Sequence, residues 1–320
     1  MLTRMDLRRA LPTIGLVTLL VLDLVLVIWA LWPSGRNAPA TATSASPTAS
    51  ASPGATPAPS PSVSGSPSPS ATAKAGPIPV RRVLVAVDDR TAWLATTGSC
   101  AKPGTVQVTT DAGATWAASA APGAVTRLRP SGRSEAFAVG GTSDDCAMRL
   151  WTTGNTGEDW GDPASASAAW ARDAGDSRRV IRPGDDPVTP CGKVAVLDLA
   201  SLGRETASVL CGDGRVRTTT DGGDEWPTAF TARGALAFSL LPDGRGAVAS
   251  LADDCEGTRV IALVEGSPDG TTCVEGAEAA PGAVAISVTA DAAWLVAGDA
   301  AFTASEVGGR WTQAKGDVRS

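Results

Sequence analysis

From Val83 onward, short apolar runs alternate with polar turns. Val83-Leu84-Val85-Ala86-Val87 is followed by Asp88-Asp89-Arg90 and then by Ala92-Trp93-Leu94-Ala95. The second run recurs as Ala136-Phe137-Ala138-Val139, Ala207-Ser208-Val209-Leu210, Ala247-Val248-Ala249-Ser250 and Ala293-Trp294-Leu295-Val296. Runs this short, bounded by turn residues, predict strands. Each unit reads strand, turn, strand, loop, strand, loop, strand, which is the four-stranded blade of a β-propeller. The alanines that open the second runs step by 44, 71, 40 and 46 residues. A blade takes about 40–50 residues, so the long step is one blade plus an insertion over about 161–190. The pattern predicts an all-β propeller of five blades, or six if the insertion supplies strands of its own.

The first 76 residues follow different rules. Leu11–Trp32 is a nearly unbroken apolar run of 22 residues, roughly 33 Å as a helix and long enough to span a bilayer. Arg4, Arg8 and Arg9 precede it and only Arg36 follows closely. Cationic flanks resist translocation. The expected organisation is a cytoplasmic N-terminus (1–10), a single-pass membrane helix (11–32), a disordered linker (33–76) and an extracytoplasmic domain (77–320) in the cell membrane. A cleaved signal peptide has a shorter apolar core. The linker is almost entirely Ala, Ser, Thr, Pro and Gly, with nothing to bury that would offset the entropy of ordering.

Charge and cysteine narrow the outer domain. It keeps 22 of the 27 basic residues and 31 of the 33 acidic ones, a net charge of about −9. That field opposes nucleic acid and anionic lipid. All six cysteines lie beyond the apolar run, so they read as disulfides rather than as a metal site, and no C-x-x-C pair is present. There is no histidine in the chain, which removes His-dependent nucleophilic and metal chemistry. Nothing in the sequence points to a cofactor or metal.

A second repeat lies between the third and fourth strands of a unit. Thr109-Thr110-Asp111-Ala112-Gly113-Ala114-Thr115-Trp116 returns as Thr219-Thr220-Asp221-Gly222-Gly223-Asp224-Glu225-Trp226. Weaker copies place Asn155, Gly157 and Trp160, or Glu306, Gly308 and Trp311, at matching positions. The weakest is Ser267–Cys273. Asp or Asn can accept backbone N–H bonds within a loop, glycine reaches conformations closed to other residues, and tryptophan can plug the sheet. The motif resembles the Asp-box, or bacterial neuraminidase repeat, of sialidase-like and photosystem II assembly-factor-like propellers. That resemblance implies a structural loop remote from ligand. It also carries sialidase chemistry as a possibility, but those enzymes use a tyrosine nucleophile and this chain has no tyrosine.

The strand order predicts that the B–C loops and the inter-blade connections share the end opposite the Asp-boxes. Most cysteines and the insertion are expected there, where loops could carry a ligand site. Within the insertion, Trp170, Arg172, Arg178, Arg179 and Arg182 are the candidate binding residues for a carboxylate, phosphate or sugar ring. Asp144, Asp145, Asp253 and Asp254 read as solvated loop acids, without calcium-loop spacing. Cys191 and Cys211 are expected to face each other across a hairpin centred near Ser201. Cys100–Cys146 joins equivalent loops of adjacent blades. Cys255–Cys273 remains by elimination, although the strand order puts Cys273 at the wrong end of its blade. The functional expectation is a tethered binding or assembly module for a glycan, peptide or protein partner. The alternative is a glycan hydrolase with a carboxylate pair.

Overall fold

A computed structural model describes residues 81–184 and 186–318. The expected cytoplasmic segment (1–10), membrane helix (11–32) and linker (33–76), and Asp185, lie outside the described residues. The described chain forms six antiparallel blades, one more than the favoured expectation. Blade one comprises Arg82–Ala86, Ala92–Thr96, Thr105–Thr109 and Ala117–Ala120; blade two comprises Ala124–Pro130, Ala136–Gly141, Met148–Thr153 and Ala164–Ser165. Blade three has three short strands, Ala171–Arg172, Val180–Ile181 and Pro187–Val188. Blade four comprises Val196–Ser201, Ala207–Cys211, Arg215–Thr219 and Thr228–Thr231. Blade five comprises Ala235–Leu240, Gly246–Ser250, Gly257–Val264 and Ser267–Glu275. Blade six comprises Val284–Val288, Ala293–Ala297, Ala300–Ala304 and Thr312–Asp317. Blade three is the insertion, which supplies strands of its own instead of forming a loop.

The second strands are the most apolar and the most deeply buried. Trp93, Leu94, Leu210, Trp294 and Leu295 are all inaccessible to solvent. Each packs in a seam between neighbouring blades; Leu84 and Leu94 of blade one, for example, share a cluster with Trp294 and Val296 of blade six. The first strands contact one another in sequence around the axis, and the first strand of blade one closes on that of blade six. No strand is exchanged at this closing seam, because every strand of blade six comes from one end of the described chain. Side-chain hydrogen bonds join it instead. Arg82 Nη1 donates to the carbonyls of Ala283 and Gly298, and Trp294 Nε1 donates to the Asp88 carbonyl at 2.9 Å.

A sheet's innermost edge presents unpaired N–H groups, and these must be satisfied. Here a polar side chain of the first strand reaches the next blade in blades two, four, five and six. Asp198 Oδ2 accepts from Phe238 N at 3.0 Å, Ser239 Oγ from Val288 N at 3.2 Å and Ser287 Oγ from Ala86 N at 2.9 Å. These bonds stitch blades four to five, five to six and six to one. Thr126 Oγ1 donates to the Arg172 carbonyl at 2.7 Å and so joins blades two and three.

Blade three runs backwards. Trp170, just before its first strand, donates through Nε1 to Gly203 and Arg204 carbonyls in the first turn of blade four, each at 3.0 Å. Just after that strand, Ala174 lies beside Gly141 and the Cys100–Cys146 bridge, at the other end of the ring. The first strands of the other blades run in the opposite sense. An odd number of strands allows blade three to leave at the end where blade four begins.

All three expected cysteine pairs are bridged, with Cα separations of 5.4 Å for Cys100–Cys146 and 5.6 Å for Cys191–Cys211 and Cys255–Cys273. Two local readings need correction. Cys211 pairs in register with Val196, and the hairpin turns at Leu202–Thr206, so Cys191 reaches its partner from the preceding turn and not across the ladder. Ser267–Cys273 is not a loop of the Asp-x-Gly kind. It is strand, and the turn before it is the two-residue Glu265–Gly266, with φ of 49° and 74°, the conformation of a tight hairpin turn. That brings Cys273 down to the end where Cys255 lies, which resolves the conflict in the expected pairing.

Candidate functional site

The repeated loops are built from one hydroxyl. Thr109 Oγ1 donates to Asp111 Oδ1 at 2.8 Å and accepts from Gly113 N at 3.0 Å. Thr153 does the same for Asn155 and Gly157, and Thr219 for Asp221 and Gly223. The Asp or Asn then accepts from the backbone of Thr115, Asp159 or Glu225. Gly113, Gly157 and Gly223 all have positive φ. These bonds hold the Asp111 and Asp221 carboxyls below the usual carboxylate range; the largest cause is the Thr115 hydroxyl for Asp111 and the Thr219 hydroxyl for Asp221. In blade six Ala304 replaces the threonine. Glu306 makes no such bridge, and its carbonyl accepts from Gly309 N at 3.1 Å instead. The tryptophans pack into seams: Trp116 meets Trp294 edge-on at 6.3 Å, and Trp226 meets Trp170 at 5.9 Å. Trp160 and Trp311 are partly buried against apolar clusters.

The five candidate residues of the insertion are dispersed along blade three. Trp170 is buried against Trp226, at the end carrying the Asp-x-Gly loops. Arg182 is at that end too, 2.7 Å from Asp224 and 3.2 Å from the Gly222 carbonyl. Arg178 and Arg179 are at the other end, paired with Asp176 at 3.1 Å and Asp173 at 3.6 Å. Arg172 is wholly buried between them, and its Nη1 donates to the Leu197 carbonyl at 3.2 Å. The acids Asp144 and Asp145 lie in blade two and Asp253 and Asp254 in blade five; Asp145 caps its own loop through Thr142 and Ala147, and Asp254 pairs with Arg259.

The concave surface lies on the axis. A cavity of about 460 Å³ is lined by the first strands of blades one, two, four, five and six. It extends from Asp198 to Pro242 and Ala290 in the turns at the Asp-x-Gly end. A second space of about 670 Å³ adjoins it, between Phe137, Trp170, Pro183 and Gly203. The two share Arg127, Arg129, Ser201 and Pro242. The cavity therefore reaches the end opposite the one where the loop count had placed a site.

Its first-strand charges come from blades two and four. Arg127 and Arg129 alternate along blade two and so project on one side of it. Arg127 Nη1 donates to the Trp170 carbonyl, and its guanidinium sits 5.8 Å from the Phe137 ring centre. Burial, and then the charge of Arg129, pull its pKa down to about 10. Asp198 is the only carboxylate lining either space among the described residues. Burial raises its pKa, against the opposing pull of Arg172, the Phe238 and Leu199 N–H groups and Arg81. Of these charged residues only Arg172 belonged to the candidate cluster read from the sequence. The available signal was charge inside apolar runs: Thr-Arg-Leu-Arg at 126–129 and Val-Leu-Asp-Leu at 196–199.

No family model matches the chain, and no curated protein matches it. Among solved structures it is similar to YCF48 bound to a D1 peptide, at 15% identity over 73% of this chain and 81% of that one, TM-score 0.28. It is similar to the WD40 β-propeller domain of Doa1, at 14% identity over 70% and 92%, TM-score 0.39. It is also similar to the GH74 xyloglucanase of Xanthomonas campestris, at 12% identity over 72% of this chain and 38% of that one, TM-score 0.31.

Proposed function

We propose that the chain is a membrane-tethered, extracytoplasmic binding or assembly module whose partner, a protein, peptide or glycan, engages the axial cavity at the Asp-x-Gly end. The supporting observation is the joined cavity itself, with two arginines on one strand and a single carboxylate already committed to backbone N–H groups. Concave surfaces with a few convergent polar groups are the usual form of a ligand site. The tether is read from the apolar run at 11–32 and its basic flank.

Photo-crosslinking residues placed at Arg204 and Leu241, in turns beside the cavity, should give discrete adducts in intact cells. The same probe at Thr228, on the outer edge of blade four, should give none. Equal labelling at all three positions, or none at the two turns, would sink this reading.

A further inference from the structure

We propose that the cavity takes a single carboxylate carried on a neutral aliphatic stem, held between Arg127 and Arg129. This deepens the preceding reading and rests on it. Neither arginine has an ion-pair partner among the described residues. They line both spaces from the same side of one strand. Two guanidiniums in a partly dry wall repel each other, and an anion between them relieves that repulsion while accepting charge-assisted hydrogen bonds. Asp198 cannot play that part, since its two oxygens accept from Leu199 N and Phe238 N.

The rest of the wall selects the stem. Val85, Leu199 and Leu240 supply apolar surface, and no Asn or Gln lines either space. The hydroxyls of Thr126, Ser239 and Ser287 are engaged between blades. Beyond Ser201 and the arginines the lining side chains offer a sugar ring few partners for its hydroxyls, a cost that an aliphatic stem does not incur. Polyanions are opposed by the acidic domain and by Glu205, Asp243 and Asp291 in the adjoining turns, whereas one charge on a neutral stem is not.

The same chemistry is offered by a peptide C-terminus and by a small free carboxylate. The test measures binding of N-acetyl-tetraalanyl-leucine, its C-terminal amide and hexanoate to the full-length protein by titration calorimetry. The free-acid peptide should bind at least tenfold more tightly than the amide. Arg129→Gln, an exposed position outside the seams, should erase that difference while melting as wild type does. Hexanoate competing with the peptide would assign the site to small carboxylates as well, and failure to compete would confine it to peptide ends. Equal binding of acid and amide, or no binding by any of the three, overturns the proposal. If the cavity-edge crosslinks persist in Arg129→Gln, the partner still uses the cavity and only the anion assignment fails.

Discussion

The side chain on which the repeated loops depend most is a threonine. In Thr219 one hydroxyl serves as donor to Asp221 and acceptor from Gly223 N, and the residue is buried. Thr219→Val keeps the shape and leaves a glycine N–H unpaired, so it should cost about 1–3 kcal/mol, read from a denaturant midpoint. Thr219→Ser should restore most of that. The loop carboxylates set a pH dependence. Asp111 and Asp221 are more acidic folded than unfolded, so their contribution is complete above the ordinary carboxylate pKa and is lost as pH falls through the lower folded values. Asp198 has the opposite sign: its folded pKa is raised, so its own ionisation weakens the fold as pH rises through that value. Melting temperature should therefore fall on acidification below about pH 4, and less steeply in Asp111→Asn/Asp221→Asn. Unchanged acid sensitivity in the double variant would show that these loops do not set it.

Among the elements, four-stranded blades were legible in the sequence and blade three was not. The legible ones have second strands of five or six mostly apolar residues and, in blades one, two and four, a Thr-x-Asp or Thr-x-Asn signal behind them. Blade three has only two-residue strands, too short for any alternation to rise above the loop around them. Its tryptophan and arginines therefore looked like a loop cluster, although packing sends Trp170 and Arg172 into the interior. The axial site stayed hidden because its residues come from different blades, and only closure of the ring brings Asp198 towards Arg81 and Arg172. Removing Asp198 takes the counter-charge from the buried Arg172 and the half-buried Arg81. Asp198→Ala should cost on the order of 3 kcal/mol or more, checked by chemical denaturation. A near-neutral effect would mean that the arginines find water or other partners.

At the scale of the whole molecule, the bridges and the tether give two further expectations. Cys100–Cys146 links blades one and two, while Cys191–Cys211 and Cys255–Cys273 sit in or beside blades four and five. Non-reducing peptide mapping should return these three pairs and no others. Protease added to intact cells or spheroplasts should release the outer domain by cutting within 37–76, and complete protection would rule out the proposed topology.

Arg81 enters the ring at the end away from the cavity mouth, and Val318, whose N–H bonds the Asp299 carbonyl at 2.8 Å, leaves at that same end. Any pull on the chain from its N-terminal side thus arrives first at Arg82, the residue clamped to blade six. At that seam, as at the others, no strand is shared, and the load is borne in shear by the Arg82 guanidinium, the bond from Ala86 N to Ser287 Oγ, the packed interface and the Trp294 plug. Of the six blade-to-blade seams it is the one that no chain connection crosses within the described residues, and it is the one that a pull from the N-terminal side loads.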